Sequence, residues 1–322
     1  MMRFAPLVLA ASLLGSLSSP LQAQAAPVEK EAFEAAQGTH VQSEREIDIM
    51  EHLANKNTFE YPCLKPSYIC EVPLPRFAAI HLGPITLDFS VTKHFVFLVL
   101  SAIIVSLVFI LSGLSIRRAQ AAGRPPKGFA GAMEAMALYL RQEVILPNVG
   151  EHGEGYVPYL LTTFFFILVC NLFGLVPYMG TATGNIAVTG GLALLAFLVI
   201  EISGMITLGF SGYMHTIFFL PPGLPGWIKP LILVIMTPIE LIGKLAKPFA
   251  LAVRLFANMT AGHALVLALI GLIFTFHSWA VGVGASLMST AIMCLEVFVA
   301  FLQAYVFTLL TAVFIGLMRA EH

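Results

Sequence analysis

The sequence predicts an all-α polytopic membrane protein, and three observations carry that prediction. Of the 322 residues, 58% are hydrophobic and only 11% charged, with mean hydropathy +0.88, whereas soluble chains carry about 25% charged residues. Several apolar stretches are long enough to cross a hydrocarbon layer about 30 Å thick as helices. The charges between them alternate as a chain crossing back and forth requires. The net charge of −1 says nothing about nucleic acid, but no basic cluster suits a phosphate backbone, so no nucleic-acid partner is expected.

Taken in order, residues 1–25 have the parts of a secretory signal peptide: Arg3, a short apolar core from Leu7 to Leu17, and Ala23-Gln24-Ala25 as a small-x-small cleavage site. That core is too short to span a bilayer. The expectation is a mature N-terminus outside, in the periplasm of a bacterial inner membrane. Residues 26–92 then form a polar periplasmic segment. It holds an acidic stretch, "SEREIDIMEHLANK", read as a surface helix, and "FAAIHLGPITLDFSVTKH", whose alternation is strand-like. Cys63 and Cys70 flank "LKPSYI" in this segment, where an oxidising compartment permits a disulfide. Cys170 and Cys294 lie in apolar runs and read as packing residues.

Residues 93–322 form the membrane domain. A first span from Phe95 to Ile116 ends at "RRAQAAGRPPKGF", whose Arg117, Arg118, Arg124 and Lys127 mark a cytoplasmic loop. "GFAGAMEAMALYLRQEVILPNVG" mixes Glu134, Arg141 and Glu143 with apolar residues, the pattern of an amphipathic helix lying in the interface. The second span runs from Val157 to Tyr178, the third from Asn185 to Ile206, joined by the uncharged "MGTATG". A Gly/Pro-rich loop, "SGYMHTIFFLPPGLPGWIKP", leads to a helical pattern from Leu231 to Phe276. After a break at "HSWAVG" a final one runs from Ala285 to Met318. About five crossings with the C-terminus cytoplasmic fit every loop. The last two helices are too long. At 1.5 Å per residue the fourth extends roughly 65–70 Å, so it must tilt steeply, kink or leave the layer, and Pro238 and Pro248 offer bend points.

Polar residues inside these apolar helices carry the functional signal. On the fourth span Glu240, Lys244, Lys247, Arg254 and Asn258 fall within a sector of roughly 80° at 100° per residue. Glu240 and Lys244 are spaced for an i,i+4 ion pair, and the two lysines for snorkelling at the cytoplasmic end. Arg254 lies deeper, between Val253 and Leu255, and stays charged at any accessible pH. It is therefore a fixed positive charge, not a proton carrier. On the last helix Glu296 and Gln303 share one face, opposed to that stripe in a hairpin. Glu296 and His263 are both residue types that titrate near neutrality when their surroundings shift them. Each also has a structural reading, as an ion-paired carboxylate and as a packing histidine. Asn171 on the second span either hydrogen-bonds across helices or serves the site, and Glu201, a turn from the end of the third, reads as surface-exposed. No metal-ligand spacing, phosphate-cradling glycine loop or nucleophile–base constellation is present, and no cofactor is implied.

The segments "PFALAVRLFANMTAGHAL", "NLFGLVPY", "TPIELIGKLAKP" and "LEVFVAFLQAYVFTLLTAVFIGLMRAEH" resemble subunit a of the F-type ATP synthase membrane sector, over about residues 85–322. The resemblance implies a non-catalytic subunit that conducts protons through two offset half-channels to and from a ring of c subunits. Its other partners are the peripheral-stalk b subunits, the remainder of the synthase and membrane lipid. It implies that Arg254 faces the ring, with Asn258 and Gln303 as the motif's asparagine and the last helix's glutamine. His263 and Glu296 match two positions on facing helices that hold ionisable groups, with identities exchanged between branches. Glu240 matches an acidic position of the cytoplasmic half-channel, and Asn171 the polar residue of the second-span motif. Residues 1–84 fall outside the resemblance. The alternative from the residues alone is a self-contained secondary transporter using the same stripe, though the internal repeats common in such folds are not visible.

Overall fold

The computed structural model of the chain describes residues 58–62, 69–75, 80–82, 85–87, 91–150, 153–176, 182–218, 225 and 228–320. The expected signal peptide, the acidic stretch and Cys63 lie outside the described residues, and so does the Cys63–Cys70 pairing. Two antiparallel hairpins precede the helices: β1 (Thr58–Pro62) with β2 (Ile69–Pro73), and β3 (Ile80–Leu82) with β4 (Ile85–Leu87). Tyr61 lies opposite Cys70, and His81 opposite Thr86. The second hairpin forms where the sequence alternates around Gly83-Pro84, a turn-forming pair.

Helix α1 (Lys93–Ala121) is capped by Thr92, whose hydroxyl accepts from the Phe95 amide at 3.4 Å. It stops where Gly123 turns left-handed, φ +63°, ahead of Pro125-Pro126. Helix α2 (Gly128–Tyr139) continues through a wide π turn, Leu140–Ile145, into the single turn α3 (Leu146–Val149). The π turn carries Leu140, Val144 and Ile145 into the core together. The stretch expected to lie in the interface is thus buried along its second half, against the protein. It is absent from the five helices long and apolar enough to cross a membrane.

Those five are α1, α4 (Val157–Gly174, entered through a short 3-10 turn), α5 (Ile186–Ile217), α6 (Lys229–Phe276) and α7 (Trp279–Ala320). Asn185 caps α5 by accepting from the Ala187 amide at 2.8 Å. The expected third span ends too early at Ile206, because α5 resumes after a break at Gly209, φ 70°, ψ 167°. Part of the expected Gly/Pro-rich loop is therefore helix. Pro238 and Pro248 both lie within one continuous α6 of 48 residues, so the predicted bend points do not interrupt it. The break after α6 is shorter than "HSWAVG" predicts: His277 turns left-handed, φ 45°, and Gly282 already donates to the Ser278 carbonyl at 2.8 Å. At 1.5 Å per residue α6 is ~72 Å long and cannot stand upright in a hydrocarbon layer of ~30 Å.

The core sits around α4. Its Phe164, Phe165 and Ile167 are buried with Leu98 of α1, Val144, Leu192 of α5, Leu255 of α6 and Phe307 of α7. Phe165 meets Phe109 edge to face with centroids 4.9 Å apart. Helix α7 packs against α4, α5, α6 and α3, whereas α6 touches mainly α5 and α7. Helix α6 is accordingly the most open, with Val234, Ile242, Leu245 and Phe249 exposed. At the far end, Gly316 of α7 rides on the Asn148 carbonyl of α3, where a Cβ would overlap the backbone. Gly316→Ala should destabilise the fold by about 1–3 kcal/mol, the usual scale of overpacking. The check is the thermal unfolding midpoint of the detergent-solubilised chain.

Candidate functional site

Helices α6 and α7 run antiparallel from the two-residue turn at His277, and their facing surfaces meet through polar groups. Asn258 Nδ2 of α6 donates to Gln303 Oε1 of α7 at 3.3 Å. Gln303 is buried, so its amide occupies the helix pair's interior, as the shared face with Glu296 predicts. Asn171 of α4 is fully buried; its Nδ2 donates to the Ala300 carbonyl of α7 at 3.3 Å, and its Oδ1 accepts from Thr183 at 2.8 Å. Both bonds cross between elements, as the interhelical reading of Asn171 expects. It ties α4 and the 3-10 turn before α5 to the turn of α7 that ends one helical step before Gln303.

One further turn along α7 toward His277 stands Glu296. Its Oε1 is buried without a hydrogen-bond partner. The carboxyl group rests on Gly262 of α6, so closely that a Cβ there would overlap it. His263 follows directly and is half-buried. The hairpin thus brings Glu296 to the residue before His263 and juxtaposes the two titratable types. Gly262 was not picked out by the sequence; a glycine one residue before a polar helix position is the signal that marks it.

Arg254 lies apart from this seam. It is exposed on α6, and among the described residues no acid or carbonyl accepts from its guanidinium. Around it on the open side of α6 are Ala246, Ala250, Ala257 and Ala261, all exposed. Small residues there leave room for another helix to come close.

On the other side of Arg254 the predicted stripe divides. The Glu240–Lys244 ion pair does not form. Lys244 is buried and its Nζ lies 3.5 Å from Glu201 Oε2 of α5, 3.3 Å from Thr216 Oγ1, and 4.6 Å from the centre of the Tyr213 ring. Tyr213 also donates its hydroxyl to Glu201 Oε2. Glu201 is therefore buried and paired, not surface-exposed as its place near the end of a shorter helix predicts. The Gly209 break explains the difference, because in a straight helix Tyr213 would lie ~18 Å along the axis from Glu201. Lys247 is exposed, and its ammonium lies over the Phe314 ring of α7, 4.8 Å from the ring centre. Glu240 is exposed and, with Glu201, Lys244, Lys247, Thr216 and Phe314, lines a cavity of about 120 Å³. Cys170 is buried as expected, but Cys294 is exposed on α7 and is no packing residue. Among the described residues no group of three or more His, Cys, Asp or Glu is arranged to hold a metal ion.

A partly buried polar seam and a charged cavity on opposite sides of one exposed arginine form the arrangement to be matched against known proteins. A family model described as the ATP synthase A chain matches residues 90–316. ATP synthase subunit a 2 of Chlorobaculum tepidum is 42% identical over 300 residues, covering 92% of this chain and 80% of that protein. ATP synthase subunit a of Pelodictyon phaeoclathratiforme is 40% identical over 315 residues, covering 97% and 87%. That of Myxococcus xanthus is 44% identical over 235 residues, covering 73% and 74%. On this evidence the chain, a membrane protein of five long apolar helices, belongs to the ATP synthase A chain family.

Proposed function

We propose that the chain is the stator ion channel of a rotary F-type ATP synthase, conducting protons through two offset half-channels to and from a ring of c subunits. The observation that carries this is Arg254: a permanent cation on the open face of a membrane helix, with no counter-charge among the described residues. Leaving such a charge in a bilayer costs roughly 2.5–3.5 kcal/mol on insertion scales. Its neutralising carboxylate therefore arrives on another chain, and the exposed alanines beside it suit a helix of a ring passing close. The relatives carry the name of an ATP synthase subunit, which supports assembly with the rest of that complex, the peripheral stalk included.

The polar residues divide into two paths that do not overlap. Toward the α6–α7 turn stand Asn258, Gln303, His263 and Glu296, the entry side from the periplasm. On the other side stand Glu240 and the cavity it lines, the exit to the cytoplasm. Glu240 lies ~21 Å from Arg254 along the helix, and His263 ~13 Å in the opposite direction. Protons enter past Glu296 and His263 and load a ring carboxylate. After rotation they leave near Glu240. Arg254 forces each returning carboxylate to release its proton and keeps the two paths electrically separate. The orientation is supported by Arg117, Arg118, Arg124 and Lys127 after α1, which fit a cytoplasmic loop. One charge falling through 100 mV supplies about 2.3 kcal/mol, so several steps are summed for each ATP. The chain itself performs no nucleotide chemistry.

Three substitutions test the path in membrane vesicles carrying the assembled complex. Arg254→Ala should abolish both ATP-driven proton pumping and proton-driven synthesis while the ring still co-purifies; normal pumping would sink the proposal. Glu296→Gln should slow pumping by about tenfold, equivalent to ~1.4 kcal/mol on the barrier, with ATP hydrolysis by the detached soluble head unchanged. Gly262→Ala pushes the Glu296 carboxyl out of its seat, so pumping should fall comparably. Adding Glu296→Asp, a shorter acid, should restore part of it. The quench of a pH-sensitive dye reads all three.

A further inference from the structure

Lys244 has two carboxylates within reach and is bound to the less accessible one. Glu240 precedes it by one turn on the same helix, in the order that favours an ion pair. Glu201 reaches it from α5 at 3.5 Å. The outcome follows from burial. Glu201 is 8% exposed, and a buried carboxylate needs a partner far more than an exposed one does. Tyr213 and Thr216 strengthen the choice. The Tyr213 hydroxyl donates to the same Glu201 oxygen, its ring faces the ammonium, and the Thr216 hydroxyl accepts from the ammonium at 3.3 Å. All three partners lie on α5, whereas Glu240 lies on α6. Tyr213 and Thr216 reach the site only because α5 breaks at Gly209. Gly204 lies beside the cluster, where a Cβ would overlap the end of the Met318 side chain and only touch the Tyr213 ring.

We propose that Glu201 is a positioning residue for Glu240. By holding Lys244 against α5, it keeps the Glu240 carboxylate without a fixed counter-ion at the cavity they share. A carboxylate bound to a lysine is a poor acceptor for a proton in transit; one left open accepts and passes it on. The proton moves unchanged in number, from ring carboxylate to Glu240 to water, and no group is consumed. Lys247 cannot take Lys244's place beside Glu240, because its ammonium lies over the Phe314 ring on α7. This role rests on the reading of Glu240 as the exit acid.

In membrane vesicles with the assembled complex, Glu201→Gln should slow ATP-driven pumping several-fold, because Lys244, released, closes on Glu240. Adding Lys244→Met should return pumping to within about twofold of the unsubstituted complex. A merely structural role for the cluster gives no such recovery, since two of its members are then missing. Glu201→Asp, which keeps the charge but shortens the reach, covers the case in which Glu201→Gln does not assemble, and its pumping must likewise rise when Lys244→Met is added. Full pumping by the single variant that assembles, or a double variant as slow as that single one, overturns the proposal. Glu240→Gln is the separate arm. Slowed pumping there beside full pumping in Glu201→Gln overturns the role of Glu201 alone. Full pumping in Glu240→Gln removes Glu240 from the path and this role with it.

Discussion

An arginine keeps its proton at any pH a cell offers, and Arg254 keeps it on the open side of α6 without an acid among the described residues to neutralise it. That unbalanced charge constrains the surrounding helix. The exposed neighbours of Arg254 are mostly small, Ala250 and Ala257 with Asn258 one turn on, so the guanidinium stays accessible. Behind it Leu251, Leu255 and Met259 are buried and fasten α6 to the rest of the chain. The helix is thus firm on one side and available on the other. A carboxylate reaching an unpaired cation there is driven to ionise.

The remaining polar groups lie away from that charge, and most of them are bound elsewhere. Asn258 and Gln303 satisfy each other, and Asn171 is held by Thr183 and the Ala300 carbonyl. Glu296 is pressed on Gly262, and Glu201 is bound to Lys244 and Tyr213. Any of the acids, placed a turn or two nearer on the facing surface, would give Arg254 a permanent partner. In this chain neutral amides hold the helices together nearest the arginine, and the charged groups lie farther along in either direction. Neutral amides bridge helices without adding a field of their own, which explains why amides rather than acids sit there.

Much of this could be read from residues alone. Long apolar runs announce the five helices, and a lone arginine between Val253 and Leu255 announces the centre of the site. The seam of Glu296 and Gln303 follows from a seven-residue spacing on one helix. What the sequence hides depends on backbone events that hydropathy does not encode. The break at Gly209 leaves apolar character on both sides, so the third span looks shorter and Glu201 looks terminal. Once the chain bends there, Tyr213 and Thr216 come back to Glu201, and Lys244 turns from its i,i+4 neighbour to a buried one. A helical wheel counts only partners on its own helix, which is why the Glu240–Lys244 pair looked sound. The two prolines in α6 leave the helix continuous, since a long helix exposed on one side accommodates each lost hydrogen bond without a break.

The seat of Gly316 on the Asn148 carbonyl has a mechanical side. Under the proposed function, a ring turning past Arg254 would load α6, and α7, packed against it, would share that load. Helix α7 is gripped at three heights: by Asn258 through Gln303, by Asn171 through Ala300, and by α3 beneath Gly316. Near the last of these, Arg319 donates to the Val149 carbonyl and lies against Tyr156. Torque on the hairpin therefore ends in the α2–α3 segment, the short stretch that crosses nothing and is wedged into the core at its π turn. In that reading the segment would act as an anchor bolt, and its stiffness would limit how much of each step of the ring is lost to twisting the hairpin.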